Sequence, residues 1–165
     1  MKNKGKSQVA IGGVLLSLAI LVSYVELIIP IPVPIVGMKL GLVNVVILVV
    51  LYLLGTKEAY VITITRVFLV SLLFGNAFSM VYSLSGAICS IAVMSLLKSK
   101  TKTSLIAISI AGALFHSIGQ VAVAVVILHS LAILVYLPSL LLVGMITGAL
   151  IGMIAQQVLR RVTQV

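Results

Sequence analysis

The sequence predicts an all-α membrane protein, a six-transmembrane-helix bundle with both termini cytoplasmic. Three observations lead there. First, hydrophobic residues make up 62% of the 165-residue chain and charged residues 8%, whereas an average soluble domain is roughly 45–50% apolar and about 25% charged. With a mean hydropathy of +1.40, too few ionic side chains remain to cover a water-soluble surface. Second, apolar runs near the length of about 20 residues that a helix needs to cross the hydrocarbon core recur six times. Third, the cations collect at alternate ends of those runs. Eleven Lys and Arg against two acids give a net charge of +9. A nucleic-acid-binding domain would spread such a charge over one face of a soluble fold. A secreted globular domain and a disordered tail are excluded as well.

The whole chain, residues 1–165, reads as one integral membrane domain. Its spans fall at about 9–29, 36–54, 59–74, 77–97, 105–128 and 138–159. The basic start MKNKGKSQVA and the run after it resemble a signal peptide, but no small-x-small cleavage site follows, so the run reads as a retained first helix. Pro30, Pro32 and Pro34 cannot continue a helix and predict a stiff extended connection to the second span. The third span is short. The last apolar run begins at Leu131, too early for one straight helix. Pro138 suits a first helical turn, which leaves residues 131–137 as an interfacial or re-entrant segment. With the N-terminus cytoplasmic, nine of the eleven cations lie inside: Lys2, Lys4, Lys6, Lys57, Lys98, Lys100, Lys102, Arg160 and Arg161. Only Lys39 falls outside and Arg66 within a span, as the positive-inside rule requires. The expected location is the cell (plasma) membrane.

Small residues indicate close helix packing or partner docking. Gly144, Gly148 and Gly152 recur every four residues on the last span, and Gly13 with Ser17 form a similar ridge on the first. Ser79, Ser83, Gly86 and Ser90 make a third on the fourth span. Cys89 has no partner for a disulfide and reads as a small buried hydrophobe. No internal repeat is visible.

Ionisable groups inside a membrane are costly and mark functional sites. Arg66 sits about halfway along its span, too deep to snorkel. It must meet Glu26, water, a ring of acceptors or an anionic ligand. His116 and Gln120, four apart, share a helix face. Asn44 and Asn76 either bond a ligand or cap helices, and Lys39 either anchors a span or joins the site. Under the assigned topology Glu26, Lys39, Asn44, Arg66, Asn76, His116 and Gln120 map to the middle or outer half of the bundle. They predict a pocket open to the exterior for a small polar or anionic ligand with an apolar portion. No phosphate loop, metal-ligand spacing or paired-carboxylate motif is present, so neither metal, cofactor nor catalysis by this chain alone is expected. Magnesium on a diphosphate needs clustered acidic oxygens, and Glu26 and Glu58 are expected on opposite sides of the membrane.

The run VGMKLGLVNVVILVVLYLLGTKEAYVITITRVFLVSLLFG, with the preceding PIPVP and the later SLIAISIAGALFHSIGQ, resembles the heptaprenyl diphosphate synthase component I family, also labelled the Gx transporter family. Lys39-Leu-Gly-x-x-Asn44, Leu54-Gly-x-Lys57-Glu58-Ala59, Arg66 and His116-x-x-x-Gln120 carry the resemblance, which covers nearly the whole chain. The family is similar in size and six-helix layout to the S components of energy-coupling-factor (ECF) importers. That likeness implies a membrane-embedded subunit that captures a vitamin-, flavin- or isoprenoid-like compound at its outer side. It would then dock on a coupling membrane protein driven by cytosolic ATPases. Where many S components carry Ala-x-x-x-Ala on the first helix for docking, this chain has Gly13-x-x-x-Ser17 and Ala19-x-x-x-Ser23. The family's name implies the alternative, a non-catalytic membrane component that works with a soluble prenyl synthase subunit.

Overall fold

The computed structural model describes residues 2–29 and 41–163, with side chains for residues 8–29 and 41–162. The described chain is helical throughout: α1 (Lys2–Ile28), α2 (Val43–Leu53), α3 (Thr56–Phe74), α4 (Ala77–Lys100), α5 (Leu105–Leu128) and α6 (Leu137–Thr163). A 3-10 segment, Leu131–Tyr136, joins the last two. No strand occurs among the described residues. The PIPVP connection and Lys39 lie outside them.

Local chemistry fixes most of the boundaries. Gly55 adopts φ 123°, a region L side chains avoid, and so turns the chain between α2 and α3. Asn76 caps α4 with a full capping box: its side chain accepts from Ser79 N at 2.8 Å while its own N–H donates to Ser79 Oγ at 2.9 Å. Ser104 caps α5 by accepting from Ala107 N. Lys98 and Lys100 close α4, and Arg160 and Arg161 close α6, where cations complement the helix dipole. Pro138 lies in the first turn of α6, as its missing N–H allows. The segment before it, expected to be interfacial or re-entrant, is the 3-10 helix.

α3, α4 and α6 run three to five residues longer than expected, and two elements depart further. α1 continues back to Lys2, through the polar start of the sequence. α2, expected over 36–54, is helical only from Val43 to Leu53; Gly41 and Leu42 precede it, and the stretch before Gly41 lies outside the described residues. Gly41, at φ 72°, supplies the turn into the helix.

Among the described residues four segments are long and apolar enough to cross a membrane: Gln8–Ile28, Ala77–Lys100, Leu105–Leu128 and Leu131–Val162. α2 has 11 residues, and α3, with 19, carries Lys57, Glu58 and Arg66. Large apolar side chains stand exposed on the long helices, Val14, Leu96, Val126 and Leu142 among them. Such a surface suits lipid rather than water, and the chain is a membrane protein. α2 is the inner element, packed against α1, α3 and α6. All six helices meet in one apolar core, to which Ala19, Leu51, Ala59, Met94, Ile108 and Ala155 contribute one each. At the end of α2, Lys98 Nζ donates to Leu51 O at 2.6 Å and lies 4.9 Å from the Tyr52 ring centre.

Glycine sets the spacing of α4, α5 and α6. A Cβ on Gly148 would stand 2.9 Å from Ile110 Cα, and one on Gly152 would stand 2.8 Å from Ile106 Cα. Gly144 faces Ala113 on the same side, with more room. The α6 ridge is therefore a packing surface for α5. Gly13 has no neighbour within 4 Å of its Cβ position and Ser17 is exposed. Ser17 donates its hydroxyl back to Gly13 O.

Candidate functional site

A cavity of about 320 Å³ opens at one end of the bundle. Its walls come from the C-terminal halves of α1 and α3, the N-terminal parts of α2 and α4, and His116 at the middle of α5. Lys57, Lys98, Lys100, Arg160 and Arg161 occupy the opposite end of their helices. Five of the seven residues singled out in the sequence line this cavity: Glu26, Asn44, Arg66, Asn76 and His116. Gln120 lines a smaller cavity of about 50 Å³. The two cavities share Gly41, Asn44 and His116 and therefore adjoin. Lys39 is outside the described residues.

α1 and α3 hold the charged part of the site. Arg66 is buried, 9% exposed, and its Nη1 donates to Ser23 Oγ at 3.0 Å. Ser23 in turn donates to Ala19 O, one helical turn back, at 2.7 Å. Glu26 attracts the guanidinium through space, but its Oε1 accepts from Leu42 N at 2.6 Å, at the N-terminus of α2. A carboxylate is well placed there, against the positive end of a helix dipole. Of the partners open to Arg66, Glu26 thus acts through space, with a serine hydroxyl in hydrogen-bond contact. Arg66 Nε has no hydrogen-bond partner.

α4 and α5 supply the polar, uncharged wall. Asn76 spends its Oδ1 on the capping box, so its structural role is assured whatever else its amide does. Gly86 lets α5 come close: a Cβ there would stand 2.8 Å from His116 O and 2.6 Å from Gln120 Cγ. This contact sets the depth of both side chains. Gln120 is 4% exposed with no partner for its Nε2, an expensive arrangement for a buried amide. Leu27, Val67, Val70 and Phe74 give the larger cavity an apolar side. The Phe74 ring packs on Tyr24 of α1 with centroids 4.8 Å apart, tying α1 to α3 beside the cavity.

Several lining residues were not expected. Ser23 was visible only as half of a small-residue pair, and Ser71 and Thr147 not at all. A serine or threonine in an apolar helix usually bonds its own backbone, so sequence carries no signal for a second role. Among the described residues no group of three His, Cys, Asp or Glu could hold a metal ion. The arrangement suits non-covalent binding: one buried cation, hydrogen-bonding amides, an imidazole and an apolar wall.

No curated protein and no solved structure matches the chain. Residues 15–158 match the model of the family described as heptaprenyl diphosphate synthase component I, and the chain belongs to that family.

Proposed function

We propose that the chain is a membrane-embedded substrate-binding subunit of the ECF S-component type, capturing a small polar or anionic ligand for uptake. The observation that supports it best is the buried Arg66 on the wall of a 320 Å³ cavity. That volume falls at the lower end of ordinary ligand pockets, about 300–1,000 Å³. Arg66 and His116 contact the polar head of the ligand, Gln120 and Asn44 add hydrogen bonds, and the apolar wall takes the remainder. In this reading the bundle spans the plasma membrane six times with both termini cytoplasmic; α2, at 11 residues, covers only part of the hydrocarbon core by itself. The positive-inside rule then puts the cation-rich end inside and turns the cavity outward. A coupling membrane protein with cytosolic ATPases supplies the energy.

The test is purification from native membranes in mild detergent, followed by native mass spectrometry of the protein and identification of co-purifying chains. A small-molecule adduct present on the wild type and lost from Arg66→Ala and His116→Ala, together with a coupling protein and its ATPases, is the expected result. An adduct that both variants retain overturns the pocket assignment, and the absence of any adduct overturns capture. The family description favours a second reading, a non-catalytic component of a polyprenyl diphosphate synthase. It expects a soluble prenyl synthase subunit in the same purification, and a change in that subunit's rate or product length when this chain is added.

A further inference from the structure

Resting on the capture reading, we infer that the cavity takes a ligand with a single carboxylate, held side-on by the Nε–Nη2 edge of Arg66, with Ser23 as the residue that fixes that edge. A guanidinium presents its donors along fixed edges of a plane. Nη1 is tied to Ser23 Oγ at 3.0 Å. The Ser23 proton is committed to Ala19 O at 2.7 Å, so its oxygen can only accept from Arg66. The serine thus holds Nη1 in place. The remaining edge consists of Nε, which has no partner, and Nη2. Two parallel N–H groups on one edge match the two oxygens of a carboxylate.

Charge narrows the class further. The buried Arg66 guanidinium has a neutral hydroxyl as its hydrogen-bond partner, and Glu26, which attracts it through space, shares the cavity wall. With that carboxylate already present, the site suits at most one further negative charge. A diphosphate carries more than one and is normally held through magnesium on clustered acidic oxygens. The chain has two acids, and Glu58 lies in the first turn of α3, at the end away from the cavity. Val67, Val70 and Phe74 offer the carboxylate's apolar body a wall.

The experiment titrates the full chain in lipid nanodiscs with sodium benzoate, inorganic phosphate, and pyrophosphate with and without magnesium, at constant ionic strength. The readout is the thermal unfolding midpoint, which rises with any ligand that binds only the folded state. Benzoate is expected to bind saturably, in the millimolar range or tighter, and pyrophosphate not at all. Arg66→Met should weaken benzoate by at least about tenfold, the scale of a charge-assisted contact. Arg66→Lys keeps the charge without the fork and should also weaken it, which covers the case in which Arg66→Met fails to fold. Ser23→Ala should weaken binding about three- to tenfold, and Ser23→Thr, which keeps the hydroxyl, should restore it. The inference is overturned by pyrophosphate or phosphate binding as well as benzoate, by no benzoate binding at tens of millimolar, or by Arg66→Lys binding as the wild type. Equal behaviour of Ser23→Ala and Ser23→Thr removes the positioning role. The two readings fail separately. A small molecule without a carboxylate on the protein from native membranes sinks this inference and leaves capture standing. Benzoate binding governed by Arg66 with no native adduct does the reverse.

Discussion

On α6, Gly144, Gly148 and Gly152 face α5, and at the latter two the α5 backbone itself comes within 3 Å of where a Cβ would be. On α1, Gly13 and Ser17 share the same four-residue spacing, yet Gly13 has no neighbour within 4 Å of its Cβ position. The contrast extends to the helices around them. Gly86, Gly112 and Gly119 bring α4 against α5 as Gly148 and Gly152 bring α6, so one side of the bundle is closely packed backbone to backbone. α1 and α3 meet instead through side chains: an arginine–serine hydrogen bond, one aromatic pair and their share of the apolar core. The cavity lies between these two kinds of wall. A stripe of small residues reveals a close approach only where a second helix supplies the other surface.

Substitution should separate the two ridges sharply. Gly152→Leu places a side chain against Ile106 Cα and should cost about 3 kcal/mol or more, at the top of the range for overpacking, read as a fall in unfolding midpoint in detergent. If Gly152→Leu unfolds like the wild type, the close α5–α6 contact is wrong. Gly86→Ala should act next most strongly, because its methyl group meets His116 O and Gln120 Cγ. It should cost about 1–3 kcal/mol and weaken ligand retention along with stability.

Arg66→Met acts on the α1–α3 side. It leaves Glu26 and Ser23 without the guanidinium they face and should cost about 1–3 kcal/mol while abolishing retention of an anion; Arg66→Lys, which keeps the charge, should lose retention at a smaller cost. A gain of about 0.5–1 kcal/mol should follow His129→Gly. His129 ends α5 at φ 48°, a left-handed conformation that costs a side chain about 1–2 kcal/mol, part of which glycine gives back in chain entropy. Gly13→Leu should change stability least, by less than about 0.5 kcal/mol. Should it leave unfolding untouched but strip a partner from the purified complex, the open ridge of α1 is a docking surface.

Much of the helix layout was legible because apolar runs and local caps agree. α5 begins and ends where its run does, at Leu105 and Leu128, and Asn76 marks the start of α4. The candidate site was legible as a set of costly residues in apolar helices: Glu26, Asn44, Arg66, Asn76 and His116 share one cavity, and Gln120 lines the cavity beside it. What sequence did not disclose was pairing. For Arg66 the sequence left Glu26, water, a ring of acceptors and an anionic ligand all open; the fold gives it Ser23 as a hydrogen-bond partner and sends a Glu26 oxygen to Leu42 N. That choice depends on the rotation of α1 against α3, which no periodicity encodes. α2 was read too long for a similar reason: its apolar pattern continues upstream, and Gly41 at φ 72° breaks it before Val43.

The corner between α3 and α4 bears on how the chain is made. Only Gly75 and Asn76 separate the two helices. α3 carries Lys57, Glu58 and Arg66 and falls outside the strongly apolar segments, whereas α4 is among them. An arginine near the centre of a span costs about 2.5–3.5 kcal/mol at the insertion step, a cost α3 meets poorly by itself. On the six-span reading, a two-residue corner leaves too little slack for α4 to enter the bilayer while α3 waits outside. On that reading the pair would pass from the translocation machinery into lipid as one helical hairpin, the hydrophobicity of α4 carrying the charge of α3 to its place beside Ser23.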